Sequence, residues 1–261
     1  MISKIRRNLP RSWRLKLKEM TGKYPFLTFL IALLYGFLLK PYRNPWIWKR
    51  GIPKMFVNPD IYAVDCTIDI FIKRVYERFY ELRKGDLVID VGANVGMFTV
   101  KASMSVGEEG KVIAIEPVEE NFELLKKNVE LHKLANVRII RKALGRKRGK
   151  AVMLKSLLSG THQLKSVCKN SEFPIEEMEI EVDSLDNICK ELNVNRIDFL
   201  KIDVEGAELD VLKGAEESLK FTKNIAMELH YEGEGEEVRR FLEERGFTVK
   251  IVGSMLYASE Q

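Results

Sequence analysis

Hydrophobic and polar positions follow a regular order through residues 59 to 261. Runs of apolar residues predict buried strands, and between the runs apolar residues recur three or four positions apart, the spacing of a helix. The runs are LVIDVG (87–92), KVIAIEP (111–117), VRIIRKAL (137–144), IDFLKIDV (197–204) and NIAMELH (224–230). Strands that alternate with helices predict a mostly parallel sheet covered on both faces.

Helical spacing also sets the predicted helix boundaries. A first helix is predicted over residues 66–83, with one apolar face formed by Ile68, Phe71, Ile72, Val75, Phe79 and Leu82. Further helices are predicted up to about residue 105 and over residues 118–132, 185–192, 206–221 and 234–245. Residues 146–183 interrupt the alternation and predict a β-rich insertion. FTVKIV and MLYAS predict an antiparallel hairpin at the end of the chain.

Charge divides the chain into two parts. Residues 1 to 50 contain twelve Lys or Arg and one acid, Glu19, so their net charge is +11. The total of +5 leaves −6 for the remainder. This division disfavours a nucleic-acid-binding protein that is basic throughout. We predict a basic, apolar leader at residues 1–58 and a mildly acidic domain at residues 59–261.

The leader has the features of a membrane-associating segment. Residues 24 to 39 are sixteen positions without a charge, followed by Lys40 and by Trp46 and Trp48. A spanning helix needs about 20 apolar residues, so a single span is marginal. Edge tryptophans and basic side chains favour a segment that dips into one leaflet and returns. A buried helix of a soluble fold is the alternative.

Three cysteines, Cys66, Cys168 and Cys189, stand far apart without a CxxC pair. An odd, scattered set argues against a disulfide framework and for a reducing compartment.

A glycine turn follows the first predicted strand, in DVGANVGMFTV at residues 90–100. A dinucleotide fingerprint has glycine at three positions of such a turn, but Asn94 and Met97 replace the second and third glycines and would crowd a pyrophosphate. A phosphate-binding P-loop is absent, since no Gly-Lys-Ser/Thr follows. The turn therefore favours a ligand with an amino-acid end and one nucleoside.

S-adenosylmethionine is such a ligand. Asp90 can anchor its ammonium, directly or through water, while backbone N–H groups of the turn receive its carboxylate. Glu116, at the end of the second strand, can accept both ribose hydroxyls. Lys142 and Ala143, after the third strand, would line the adenine.

At this point a family resemblance is apparent. DVGANVGMFTV, IEPVEENFELLKKNV, KALG, VDSLD, FLKIDVEGAELDVLKGA and MELH resemble the FkbM family of methyltransferases over about residues 87–249. The resemblance implies a class I, Rossmann-like methyltransferase fold: a mostly parallel seven-stranded sheet with an antiparallel C-terminal hairpin. It also implies S-adenosylmethionine as cofactor and methylation of a hydroxyl, often on a sugar.

Carried over position by position, the resemblance implies that the cofactor is bound by Asp90, Gly92, Asn94, Gly96 and Glu116. The full set of cofactor candidates also includes Ala93, Phe98, Pro117, Lys142 and Ala143. One departure concerns Lys142, which stands before Ala143 where the family has an acid, so recognition of the adenine amino group is left open.

The catalytic candidates end the fourth and fifth predicted strands. They are Asp203, Glu205, Glu228 and His230, and carboxyl ends of neighbouring parallel strands meet at one edge of the sheet. His230 is the expected base at neutral pH. Capping of the following helix is the alternative role for Asp203 or Glu205. A divalent metal is a weaker alternative, and we predict none. His162, in a polar loop, is expected in solvent, with contact to the substrate as the alternative.

These observations predict an O-methyltransferase acting on a sugar of a membrane-borne or lipid-linked glycan. Because S-adenosylmethionine is cytosolic, we expect the enzyme at the cytoplasmic face of the cell membrane, attached through residues 1–50 and without a nucleic-acid partner. An RNA methyltransferase that uses the leader as a nucleic-acid arm is the first alternative. A non-catalytic membrane-tethered scaffold is the second.

Overall fold

The computed structural model describes residues 52–57, 62–156, 162–166, 174–231 and 233–260. In chain order its helices and strands are α1 (Tyr62–Thr67), β1 (Leu87–Val91), α2 (Met97–Val106), β2 (Lys111–Ile115), α3 (Glu119–Leu131), β3 (Val137–Ile140), β4 (Ala143–Leu144), β5 (Gly149–Ser156), β6 (Gln163–Leu164), β7 (Pro174–Asp183), α4 (Leu185–Glu191), β8 (Phe199–Ile202), α5 (Glu208–Lys213), β9 (Asn224–Glu228), α6 (Glu234–Glu243), β10 (Phe247–Val252) and β11 (Met255–Glu260).

A seven-stranded sheet in the order β10-β11-β9-β8-β1-β2-β3 forms the centre of the fold. Strands β3, β2, β1, β8 and β9 run parallel. Strand β11 lies between β9 and β10 and is antiparallel to both. The predicted sheet and terminal hairpin are confirmed. The parallel strands are continuous apolar runs because helices cover both of their faces, and almost every residue of β1, β2 and β8 is buried.

The insertion after β3 forms a second, four-stranded sheet in the order β4-β7-β5-β6. The prediction of a single strand for VRIIRKAL is wrong. The segment is divided at Arg141 and Lys142, and β4 leaves the central sheet to pair with β7. The ammonium of Lys142 contacts the Asp183 carboxylate of β7 at 2.7 Å, which draws the chain toward the second sheet. Met153, Leu164 and Ile180 pack this sheet against the central domain.

The expected helix over residues 66–83 is also wrong. Helix α1 continues as a π-helical turn, Ile68–Lys73, and then stops at Arg74, whose φ of 55° is left-handed. A single 3₁₀ turn, Val75–Glu77, follows. Ile72 and Phe79, predicted on the buried face, are each 52% exposed. Tyr76 is buried instead, and its hydroxyl donates to Asp203 at 2.8 Å, so a distant contact outweighs the local periodicity.

Helix α5 is shorter than the expected 206–221. It begins at Glu208 and ends at Lys213, and a 3₁₀ turn, Ser218–Phe221, follows. The strand expected over 224–230 ends at Glu228, which leaves His230 in the loop beyond it. These shifts matter because they decide which side chains face the cavity described below.

Of the predicted leader the structure describes residues 52–57 only. The backbone N–H of Phe56 donates to the amide oxygen of Asn128 at 2.6 Å, and the amide nitrogen of Asn128 donates to the Phe56 carbonyl at 2.8 Å. This stretch therefore packs on α3. Within the described part of the chain, every helix falls short of the length and hydrophobicity required to cross a bilayer. The predicted leader helix lies outside the described residues, and the division at residue 58 stays a prediction.

Candidate active site

The glycine turn lies between β1 and α2 and is held against two neighbouring strands. The N–H groups of Gly92 and Ala93 donate to the Ile115 carbonyl of β2, each at 3.0 Å. On the other side, a Cβ added to Gly92 would lie 1.8 Å from the Asp203 carbonyl oxygen, and its φ is +75°. Only glycine fits both this backbone conformation and this separation.

A cavity of about 570 Å³ opens above this turn. Eight of the ten predicted cofactor residues line it: Gly92, Ala93, Asn94, Phe98, Glu116, Pro117, Lys142 and Ala143. All four predicted catalytic residues line it as well, namely Asp203, Glu205, Glu228 and His230. The cavity thus brings the two predicted groups together. His162, expected in solvent, is partly buried and lines the cavity too, because the second sheet folds over this edge.

Asp90 and Gly96 lie outside the cavity wall. Asp90 is fully buried beneath the turn. It accepts a hydrogen bond from the Thr99 hydroxyl at 2.5 Å, and its other oxygen lies 3.1 Å from the Lys201 ammonium. Gly96 begins α2 with a left-handed φ of 88°. Both residues therefore shape the turn from below, and a direct contact of Asp90 with a ligand would require this arrangement to change.

Glu116 closes the turn from the β2 side. Its two carboxylate oxygens accept from the N–H groups of Asn94 at 2.8 Å and Val118 at 2.9 Å. Burial of this side chain raises the pKa of Glu116 to about 7, although these hydrogen bonds and one from Asn121 act to lower it. Glu116 therefore changes charge near neutral pH.

Lys142 is fixed by a buried acid. Asp183 is completely buried, and although burial tends to raise its pKa, hydrogen bonds from Arg148 and Lys142 hold the pKa well below its usual range. An ammonium held in this way can donate hydrogen bonds but cannot accept one. The role of Lys142 toward an adenine amino group therefore stays open, while the neighbouring Ala143 and Leu144 supply an apolar wall.

His230 is the centre of the catalytic group. Its Nδ1 lies 2.7 Å from Oε1 of Glu208, which is fully buried at the start of α5. Its Nε2 lies 3.6 Å from Asp203 and 3.7 Å from Glu205. We call Asp203, Glu205, Glu208, Glu228 and His230 the histidine cluster. Four carboxylates thus surround one imidazole at the rim of the sheet.

The protonation of each residue in this cluster depends on the charges of the others. Burial disfavours the imidazolium, but the hydrogen bond to Glu208 and the charges of Glu205 and Asp203 outweigh it and raise the pKa of His230 to about 10. Burial raises the pKa of Glu205 to about 8. These contacts favour the imidazolium form of His230, so proton uptake belongs to the cluster rather than to a lone neutral imidazole.

Three ligand atoms in the cluster are close enough for a cation. Asp203, Glu228 and His230 each offer one atom, and these atoms lie within 4.8 Å of one another. An imidazolium cannot bind a metal ion through its protonated nitrogen. The absence of a metal requirement stays a prediction.

Three residues of the site were not predicted from the sequence. Glu208 lies within the predicted 206–221 helix, although its position in the KIDVEGAE block was a signal. Lys201 lies in a predicted strand, but it is 3% exposed and reaches the glycine turn. Tyr76 lies within the predicted 66–83 helix and was not named on its apolar face, yet it is buried and its hydroxyl donates to Asp203.

Comparison with known proteins identifies the family. The Methyltransferase FkbM domain matches residues 90–249. The chain belongs to the FkbM family of methyltransferases. It is 31% identical over 223 residues to the 31-O-demethyl-FK506 methyltransferase FkbM of Streptomyces tacrolimicus, covering 74% of this chain and 85% of that protein. It is 29% identical over 201 residues to Methyltransferase 1 of Beauveria bassiana, covering 70% and 80%.

A solved structure shares the fold. Methyltransferase FkbM from Methylobacillus flagellatus superposes with a TM-score of 0.51 at 16% identity, over 73% of this chain and 47% of that one, so the chain spans about half of that neighbour. The protein is thus an S-adenosylmethionine-dependent methyltransferase of the FkbM family with a class I fold.

The cavity fits this cofactor. Its volume of about 570 Å³ lies in the range of small-molecule sites. Glu116, Ala143, Leu144 and the turn at Gly92 to Asn94 all line it. Glu116 would hold the ribose hydroxyls, Ala143 and Leu144 would contact the adenine, and the turn would receive the methionine end. When bound, the cofactor supplies an electrophilic methyl group on a sulfonium.

Cofactor affinity is expected to depend on pH through Glu116. The raised pKa means that the carboxylate gains its charge as the pH rises through about 7, and an ionised carboxylate accepts two ribose hydroxyls better than a carboxylic acid does. Affinity for S-adenosylhomocysteine should therefore fall as the pH drops below about 7. Isothermal titration calorimetry across this range checks it. Glu116→Gln should bind weakly at every pH; a variant that keeps the wild-type pH dependence would contradict the assignment.

Proposed function

We propose that this enzyme methylates a hydroxyl group, and that the hydroxyl belongs to a sugar of a membrane-borne glycan. The observation that carries the first part is the histidine cluster: four of its members, Asp203, Glu205, Glu228 and His230, line the same cavity as the glycine turn. A hydroxyl is a weak nucleophile until its proton is removed, and a positioned base contributes about 10²–10⁴-fold to such a step.

The cluster is suited to take up this proton. Glu208 holds Nδ1 of His230, so Nε2 faces Asp203, Glu205 and the cavity. A hydroxyl entering there can donate to a carboxylate or to a deprotonated Nε2. As its O–H bond breaks, the proton stays on the cluster, and the oxygen forms a bond to the methyl group while the methyl–sulfur bond breaks. The raised pKa of Glu205, about 8, places proton exchange near neutral pH.

The family relatives support methylation at oxygen. The name of the Streptomyces tacrolimicus relative states that it acts on 31-O-demethyl-FK506. The resemblance stated above adds sugars as frequent acceptors in this family.

Surface features beside the cavity support a membrane-borne glycan. The half-exposed ring of Phe79 packs edge-to-face on Tyr257 at 4.9 Å. Lys250 lies 5.0 Å and Arg78 lies 5.8 Å from the centre of the Phe79 ring. The Tyr257 hydroxyl donates to the carbonyl of Val75, which lines the cavity. An exposed aromatic ring flanked by two cations suits stacking against a sugar that carries an anionic group.

The basic, apolar leader supports the membrane location. An anchor confines the cavity to the membrane plane, which raises its effective concentration toward an acceptor in the same membrane. Deleting residues 1–50 should therefore leave binding of S-adenosylhomocysteine unchanged while greatly lowering turnover on lipid-linked acceptor. Flotation with liposomes measures membrane attachment, and calorimetry measures binding of S-adenosylhomocysteine. Transfer of radiolabelled methyl to a membrane lipid extract measures turnover.

Each result distinguishes among the alternatives. Label in an alkali-stable, glycosidase-sensitive lipid fraction supports the proposal. Label in tRNA, lost when the leader is removed, points to the RNA methyltransferase. A truncated enzyme that methylates the lipid-linked acceptor at an undiminished rate removes the anchor from the mechanism. A full chain that binds cofactor but labels no fraction supports the scaffold.

A further inference from the structure

Lys201 is a buried lysine at the junction of the cofactor turn and the histidine cluster. It lies in β8 directly opposite Asp90 of β1 in the parallel register, and its residue exposure is 3%. Its ammonium donates to the Gly92 carbonyl at 2.8 Å. It lies 3.1 Å from Asp90 and 3.6 Å from Asp203. One side chain therefore contacts the turn, the acid beneath the turn and an acid of the cluster.

We propose that Lys201 is a positioning residue for cofactor binding: its ammonium holds the glycine turn against β8 and provides the counter-charge for Asp90 and Asp203. The inference deepens the proposed function, because Asp203 also belongs to the histidine cluster. It concerns the cofactor rather than the acceptor, so it can fail or succeed independently of hydroxyl methylation.

The charge balance gives the first argument. A carboxylate without a partner is costly to bury, and here two carboxylates lie near one cation. Lys201 places a positive charge against both of them and so stabilises the two acids beneath the turn.

The position of the turn gives the second argument. Gly92 approaches β8 so closely that a side chain would meet the Asp203 carbonyl oxygen. The Lys201 hydrogen bond joins the Gly92 carbonyl to β8 at this same point. Tyr76 supports the ammonium from below, with its ring centre 5.3 Å away, and bonds Asp203 through its hydroxyl. The turn and the acid are therefore held by the same contacts.

Other titratable groups also face Lys201. The thiol of Cys66 of α1 lies near it. Burial raises the pKa of Glu116 at the end of β2 and of Glu228 at the end of β9, and the lysine charge offsets part of that rise. Burial would lower the pKa of Lys201 itself, but Asp90 and then Asp203 outweigh burial and raise it. The ammonium is therefore charged throughout the neutral range.

The test uses the full chain and S-adenosylhomocysteine, which binds without being consumed. Lys201→Met keeps the length of the side chain and removes its charge, whereas Lys201→Arg keeps the charge. We expect Lys201→Met to bind at least about tenfold more weakly, the effect of one charge-assisted hydrogen bond. The pH midpoint of binding should also move upward, because the lysine charge no longer lowers the pKa of Glu116. Lys201→Arg should keep the wild-type midpoint, whatever its melting temperature.

Lys101 offers a matched control. It is also largely buried, and its ammonium donates to the Ile70 carbonyl at 2.7 Å and contacts Glu77, but it contacts no residue of the glycine turn. Lys101→Met should lower the melting temperature and leave affinity and midpoint unchanged. If Lys201→Met behaves like this control, or if the Met and Arg variants shift the midpoint equally, Lys201 has only a structural role.

A double variant covers the case in which Lys201→Met does not fold. Asp90→Asn with Lys201→Met removes the buried pair together, so it should recover a cooperative melt, and it should bind S-adenosylhomocysteine more weakly than Asp90→Asn alone. A double variant that melts no better than Lys201→Met, or that binds as Asp90→Asn does, overturns the proposal.

Discussion

Replacing His230 with glutamine should lower kcat for methyl transfer by about 10²–10⁴-fold, the range that acid–base catalysis contributes, because the histidine cluster loses its central proton-carrying group. Glutamine retains hydrogen-bonding capacity but cannot hold or release a proton. Affinity for S-adenosylhomocysteine should change little, because the cofactor candidates line a different part of the cavity wall. Transfer of radiolabelled methyl to the acceptor fraction under saturating cofactor, together with calorimetry, separates the two effects.

Glu208→Gln tests the same arrangement through its partner. The amide keeps the size of the side chain that meets Nδ1 of His230 at 2.7 Å, but it loses the charge. An intermediate loss of kcat is expected, because His230 keeps its place while its proton affinity falls. His132→Gln is the matched control: His132 lies beyond the end of α3, away from this cavity. If His230→Gln retains wild-type kcat, His230 has no part in taking up the proton.

The central sheet could be predicted from sequence because its strands carry their own signal. A parallel strand buried on both faces is a continuous apolar run, and no knowledge of its neighbours is needed to recognise it. The same reasoning predicted that four residues lie close together, because they end or follow adjacent parallel strands: Asp203, Glu205, Glu228 and His230. The coarse location of the site therefore follows from local pattern and topology alone.

The segment before β1 could not be predicted in this way. Its apolar spacing fits a helix, but Arg74 adopts a left-handed φ of 55° and ends the regular structure. Tyr76 and Tyr80 then turn inward, one to Asp203 and the other to Asp86. Tyr76 and Asp203 are 127 positions apart in the sequence, and Tyr80 and Asp86 are 6 positions apart. Local periodicity contains no information about the first of these contacts.

Lys201 and Glu208 show a second limit of prediction from the sequence. A lysine within an apolar strand indicates neither its burial nor its register, yet the pairing of Asp90 with Lys201 sets both. Glu208 faces His230 only because the chain turns at Gly206, with a φ of 102°, and α5 starts two residues later than expected. Side-chain partners across a sheet depend on register and on exact helix starts, which sequence patterns leave open.

The second large effect is expected at Gly92, where the glycine turn approaches β8 closely. Gly92→Ala should abolish measurable S-adenosylhomocysteine binding and lower methyl transfer by at least about 10²-fold, the effect of displacing a reacting group by about 1 Å. The added Cβ would lie 1.8 Å from the Asp203 carbonyl oxygen and 2.9 Å from its carbon. Since both are backbone atoms, relief requires β1 and β8 to separate, which also breaks the Lys201 bond to the Gly92 carbonyl.

Gly246→Ala separates this clash from simple backbone strain. Gly246 has a comparable φ of +86°, but a Cβ there would meet nothing within 4 Å. Gly246→Ala should therefore lose only the roughly 1–2 kcal/mol of stability that a left-handed alanine costs, and it should keep full cofactor affinity. Thermal melts and calorimetry on the two variants compare the same substitution with and without the contact. If both bind S-adenosylhomocysteine as wild type does, the close approach of the turn to β8 is not required. If only Gly92→Ala loses binding, that approach holds the cofactor beside the histidine cluster.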